Sequence, residues 1–194
     1  MERISRVAMD ISLDIAAPPA AVWALLDPRR MGEVSPMCTG ARWPEGVDGP
    51  AVGVRFQGTN TNGWHHWRTT ATIVAAEPER ELAWAVSSLG FAVSQWGYRL
   101  APLPDGGTRL TETWRDCRTS PILHLKPVVR AVTGAKDVPA MVEAGIRTTL
   151  AQLKAAAEAA ARADLTPCHG VPPAGSVTPC HGVPPAGSVT LYQV

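Results

Sequence analysis

Polar side chains set into apolar alternating segments are where this 194-residue chain has the means to do chemistry. Between Thr108 and Arg118, Leu110, Glu112 and Trp114 fall on one face of an extended segment, and Arg109, Thr111, Thr113 and Arg115 fall on the other. With Leu110 and Trp114 turned to a core, Glu112 turns with them. A carboxyl in an apolar cavity has a raised pKa and can serve a carbonyl substrate as general acid or base. Two other readings stay open: a carboxylate paired with Arg99 on the adjacent strand, or one facing water after a one-residue slip of register.

Aromatic residues make the second group. Seven tryptophans stand against two phenylalanines, and Trp43, Trp67, Trp84, Trp96 and Trp114 all lie in strand-like segments. An indole offers a large flat apolar face with one N–H donor, which suits an aromatic or fused-ring ligand as well as core packing. Trp67, Trp84, Trp96 and Trp114 are the candidates for ligand contact. His65 and His66 follow an Asn62-Gly63 turn; neighbours on a strand point to opposite faces, so at most one of the two enters a cavity, and His66 is the candidate. His124 lies near the expected cavity mouth, as a gate or a surface residue. The chain holds no Ser-His-Asp order, phosphate-binding glycine-rich loop or HExxH motif.

These residues need elements to hold them. Met9, Ile11, Leu13 and Ile15 alternate with polar residues, which predicts a first strand. Pro18-Pro19 opens a short helix with Val22, Trp23, Leu25 and Leu26 on its apolar face, and a second short turn of helix is expected over 29–34. Six further strands are expected at 39–43, 52–59, 65–76, 81–88, 91–101 and 108–118. The turns between them are short and rich in Gly, Asn, Asp and Pro, which makes successive strands antiparallel. Val142, Ile146, Leu150, Leu153 and Ala157 mark one stripe of a long helix over 138–163, capped by Asp137. Ile146 and Leu150 are its candidate ligand contacts. Residues 120–134 form an apolar segment broken by Pro127.

Composition bounds the rest. Hydrophobic residues make up 45% and charged residues 18%, so the chain is not largely disordered. Eighteen basic residues balance seventeen acidic ones, and none forms a stripe, so a nucleic-acid partner is not expected. No run has the ~18–20 apolar residues of a membrane span. The charged start and sparse cysteines point to the cytoplasm and reduced thiols. From Thr166 to Val194 no residue is charged, and TPCHGVPPAGSV occurs twice, at 166–177 and 178–189. We expect a ligand-binding domain over 1–163 and a disordered tail over 164–194. The tail's Cys168-His169 and Cys180-His181 steps lack the short paired spacing of zinc sites, so neither metal nor cofactor is expected.

The order strand, two short helices, six-strand meander, long helix carries a family resemblance. DIAAPPAAVWALLDPRRMGEVSP, GTRLTETWRD and MVEAGIRTTLAQLKAAAEA resemble the START/Bet v 1-like (SRPBCC) superfamily, and more narrowly its bacterial polyketide cyclase/dehydrase-like branch, over 10–160. The resemblance implies an α+β helix-grip fold: a curved seven-stranded antiparallel sheet around a long C-terminal helix. It implies a protein, monomeric or homodimeric, that holds a small hydrophobic, ring-containing molecule. For an enzyme it implies cyclisation or dehydration of a poly-carbonyl chain, with Glu112 and either Arg99 or a histidine moving protons. The alternative is a non-catalytic lipid or metabolite carrier or sensor.

Overall fold

Alternation along the strands and a single apolar stripe on the last helix dictate two layers, sheet against helix. The computed structural model describes residues 8–164; the duplicated segment and its Cys-His steps lie outside the described residues. Strand β1 (Ala8–Ile15) leads into helix α1 (Pro19–Trp23), a 3-10 turn (Pro28–Arg30) and helix α2 (Met31–Val34). Asp27 caps that turn, accepting from the Arg29 amide at 2.8 Å. Six strands follow: β2 (Cys38–Arg42), β3 (Arg55–Asn62), β4 (His65–Glu77), β5 (Glu81–Ser88), β6 (Phe91–Pro102) and β7 (Thr108–Asp116). With β1 they form one seven-stranded antiparallel sheet in the order β1-β7-β6-β5-β4-β3-β2. Only the return of β1 to pair with β7 is non-sequential. Register shifts at Cys38/Gly40, Ile73/Ala75 and Val86/Ser87 add the local twist that curls a sheet.

The apolar segment before the last helix is more ordered than its Pro127 suggested. It forms a 3-10 turn (Pro121–His124) and helix α3 (Lys126–Thr133), with the proline in the first turn, where its missing N–H needs no helical partner. Gly134 ends α3 in the left-handed region, φ +70°. The end of α3 is tied to the β3–β4 hairpin by Asn62 Nδ2 donating to the Thr133 carbonyl at 2.8 Å.

Helix α4 (Val138–Asp164) is the long one. Asp137 caps it, accepting from the Ala140 amide at 3.1 Å. Val142, Ile146, Leu150, Leu153 and Ala157 are all buried, and they meet Ile15, Leu26, Leu100 and Leu110 in the core. Its C-terminal half lies along β1. There Lys154 donates to the Asp14 carbonyl at 2.8 Å and is paired with Glu158, which accepts from the Ala16 amide at 2.9 Å. This is a helix-grip fold, and its sheet and helix close on one another at the β1 end. Among the described residues no helix is long and apolar enough to cross a membrane.

Candidate functional site

Toward the other end sheet and helix part, and a cavity of 590 Å³ lies between them. Period-two alternation selects its sheet wall: Phe56, Gly58 and Asn60; Trp67, Thr69 and Ala71; Trp84, Val86 and Ser88; Ser94, Trp96 and Tyr98; Glu112 and Trp114. Helical spacing selects the opposite wall, Val138, Met141, Val142, Gly145, Ile146 and Thr149. Met37 packs closely on Gly145, where a Cβ would stand 2.5 Å from Met37 Cε, the end of a flexible side chain that would have to shift. The mouth is framed by Leu89 and Phe91 of the β5–β6 hairpin, Ile122 and Leu123, and Val128, Val129 and Val132 of α3.

The strand register orders the wall by depth. Trp84, Trp96 and Trp114 are successive cross-strand partners, an aromatic rung across β5, β6 and β7. Trp96 and Trp114 meet edge-on at 6.4 Å, and the Trp96 indole donates to Ser94 Oγ at 3.1 Å. One inward step deeper stand Leu82, Tyr98 and Glu112. One step deeper again, Leu100 and Leu110 are in the sealed core. Tyr98 and Glu112 therefore form the inner end of the cavity.

That end is where the electrostatics are unusual. Glu112 is 4% exposed, and its Oε2 has no hydrogen-bond partner. Burial pushes its pKa to about 8, with the nearby Tyr98 hydroxyl pulling the other way. The Tyr98 phenol is itself raised well above its ordinary value, by burial first and by Glu112 second. Cys38 also lines the cavity, its thiol raised by burial. At the mouth Arg118 is held by Asp116, with Nε to Oδ1 at 2.9 Å, and by the Leu123 carbonyl at 3.1 Å. Among the described residues Glu112 and Arg118 are the lining side chains with a carboxyl or a cationic head.

The structure brings Glu112, Trp67, Trp84, Trp96, Trp114 and Ile146 to one cavity. Three other candidates stand elsewhere. Arg99 is on the outer face between inward Tyr98 and Leu100, partnered by Asp10 at 3.1 Å, so it neither meets Glu112 nor enters the cavity. Asp10 and Asp14 hold Arg115 and Arg109 on the same outer face, and these guanidinium partners keep both carboxyls below their usual range. His66 is exposed, because inward Trp67 forces its strand neighbour outward. Leu150 is buried in the core but lies a turn beyond the cavity, where α4 has closed on the sheet. Trp43 stacks on Phe56 at 5.0 Å instead of lining the cavity. Sequence reasoning missed Tyr98, although its parity with Trp96 on the same strand was the signal. The mouth residues of α3 were hidden behind Pro127.

A curved antiparallel sheet gripping a long helix, open at one end onto an apolar cavity, defines a helix-grip protein of the ligand-binding kind. Residues 6–158 match the pattern of the family described as "Polyketide cyclase / dehydrase and lipid transport", and the chain belongs to that family. A Polyketide_cyc-like protein from Corynebacterium glutamicum is 29% identical, covering 86% of this chain and 98% of that one, with a TM-score of 0.51. The di-domain ARO/CYC StfQ from the steffimycin biosynthetic pathway is similar in fold at 16% identity, covering 81% of this chain and 52% of that one, with a TM-score of 0.61. Major latex-like protein 151 from Panax ginseng is 13% identical, covering 80% and 97%, with a TM-score of 0.55. No curated protein matches this chain in sequence.

Proposed function

We propose that this protein binds a small hydrophobic, ring-bearing molecule in the cavity between sheet and α4, in the manner of the polyketide cyclase/dehydrase-like branch. The observation that carries this reading is the 590 Å³ apolar cavity walled by Trp67, Trp84, Trp96 and Trp114. That volume falls within the ~300–1,000 Å³ range of small-molecule pockets, and flat indole faces in the lining favour rings over flexible chains. For a poly-carbonyl substrate Glu112 is the proton donor, since it is the carboxyl in the lining and burial keeps it protonated. Orientation by the walls would then supply most of any rate gain.

A specific observation also favours the carrier or sensor reading. Arg99 is bound to Asp10 on the outer face and His66 is exposed, so neither stands opposite Glu112 to exchange protons with it. Cys38 and Cys117 carry free thiols, which suits the cytoplasm.

Native mass spectrometry of the full chain, released from its host without organic solvent, tests the binding reading. The expected result is a co-purified apolar small molecule, displaced by added naphthalene or anthracene derivatives with a change in tryptophan emission. A protein that carries no such molecule and shows no spectral response to any of them refutes it. Turnover of a bound poly-carbonyl compound by the wild type, lost in Glu112→Gln with binding kept, separates enzyme from carrier.

A further inference from the structure

Two polar groups at the inner end of the cavity have one another but little else as strong hydrogen-bond partners. Glu112 Oε2 has no hydrogen-bond partner. The Tyr98 residue is 2% exposed, and its hydroxyl has Met31 Sδ as a partner at 3.7 Å. A thioether is a weak acceptor, and buried polar groups in folded proteins normally find strong partners. The two are direct cross-strand partners on β6 and β7, a relation that puts Cβ atoms about 4.5–5.5 Å apart on one face.

We propose that Glu112 and Tyr98 form a two-donor subsite that takes the oxygen of an uncharged carbonyl group and turns a carboxylate away. This rests on the reading above that the cavity holds an apolar, ring-bearing molecule. A carbonyl oxygen has two lone pairs. The neutral Glu112 carboxyl donates one hydrogen bond to it and the Tyr98 hydroxyl donates the other. Burial is what holds that carboxyl in its donor form. In an apolar, water-poor site such donors act more strongly than they would in solution. A tyrosine and a neutral carboxylic acid aimed at one oxygen also polarise the carbonyl and stabilise charge that develops on it.

The selectivity follows from the charges in the lining. A ligand carboxylate at the inner end would sit beside Glu112 and Tyr98 with no cation to neutralise it. Arg118 is at the mouth and is engaged by Asp116. Cys38 and Ser94 add only neutral polar groups to the lining.

Three ligands of one shape test the subsite by calorimetric titration into the full chain at pH 6.5: 2-acetylnaphthalene, 2-ethylnaphthalene and 2-naphthoate. The ketone should bind about tenfold more tightly than the hydrocarbon, since one net hydrogen bond is worth about that factor, and the naphthoate should bind most weakly. Tyr98→Phe and Glu112→Met should each bring the ketone down toward the hydrocarbon while leaving hydrocarbon affinity in place. The infrared carbonyl band of the bound ketone should move to lower frequency in the wild type and move less in each variant. A structural pairing of Tyr98 with Glu112 would alter stability without these effects. A ketone no tighter than the hydrocarbon, a preference that survives in the variants, or a naphthoate that binds best overturns the proposal. Should none of the three bind, the cavity reading itself falls, an outcome distinct from hydrocarbon binding without ketone preference. Tyr98→Phe keeps its ring against Trp84, 5.8 Å away, so it decides the matter even where Glu112→Met fails to fold.

Discussion

Replacing Glu112 by glutamine should make the protein more resistant to alkali, by an amount the buried carboxyl sets. In the unfolded chain this group titrates near 4.5, and in the folded protein its pKa is pushed to about 8. Between those values the unfolded state has released its proton and the folded state still holds it. Protons bound in the folded state then exceed those in the unfolded state, so stability falls as pH rises, by about 1.4 kcal/mol per pH unit. The contribution is fully favourable below 4.5, declines from there to about 8, and is level beyond, with a total cost on the order of 5 kcal/mol. Glutamine cannot titrate. The stability difference, Glu112→Gln minus wild type, should therefore grow by about 3 to 4 kcal/mol between pH 5 and pH 8. Urea denaturation of both proteins at half-unit steps measures it, and taking the difference removes every other titrating group. A difference that stays flat with pH would refute the placement of a neutral carboxyl in the apolar cavity.

Other outcomes follow from the same geometry. Gly134→Ala should destabilise by about 1–3 kcal/mol for the left-handed backbone alone, since φ is +70° there, and by more because its Cβ would meet His65 Nδ1 at 2.6 Å. A smaller loss in the His65→Ala background would separate clash from strain, and equal losses would sink the clash. Leu89→Gly should raise the melting temperature, because Leu89 holds φ +50° with a side chain 95% exposed and left-handed backbone costs a non-glycine residue about 1–2 kcal/mol; a lower melting temperature counts against the argument. Trp114→Ala should cost about 3–5 kcal/mol of stability by denaturant titration, as a 3% exposed side chain facing Trp96 is removed. Trp67→Ala, at a half-buried site nearer the mouth, should cost less than half as much; equal costs would contradict the depth order of the wall.

Alternation and turn chemistry were enough to place seven strands, because a strand's face is decided by its own period of two. The pairing of Leu110, Glu112 and Trp114 on one inward face was legible for that reason, as was the stripe on α4 from Val142 to Ala157. Asp137 announced the start of that helix as a cap. The same rule that points Trp67 inward turns its neighbour His66 outward.

Depth was decided only in three dimensions. Leu150 and Ile146 share a helix face, yet the cavity ends between them, because sheet and helix converge toward β1 and no local period records that convergence. Which residue of β6 stands opposite Glu112 depends on strand register, which no local pattern records. The register put Tyr98, not Arg99, opposite Glu112, and Asp10 on β1 took the arginine instead. Residues 126–133 form a helix over the mouth that ends locally at Gly134, and Asn62 of the β3–β4 hairpin donates to its Thr133 carbonyl, a contact made across a long stretch of chain. What the sequence determined was which residues face inward; what the tertiary structure decided was which of those inward faces stop short of touching and leave room for a ligand.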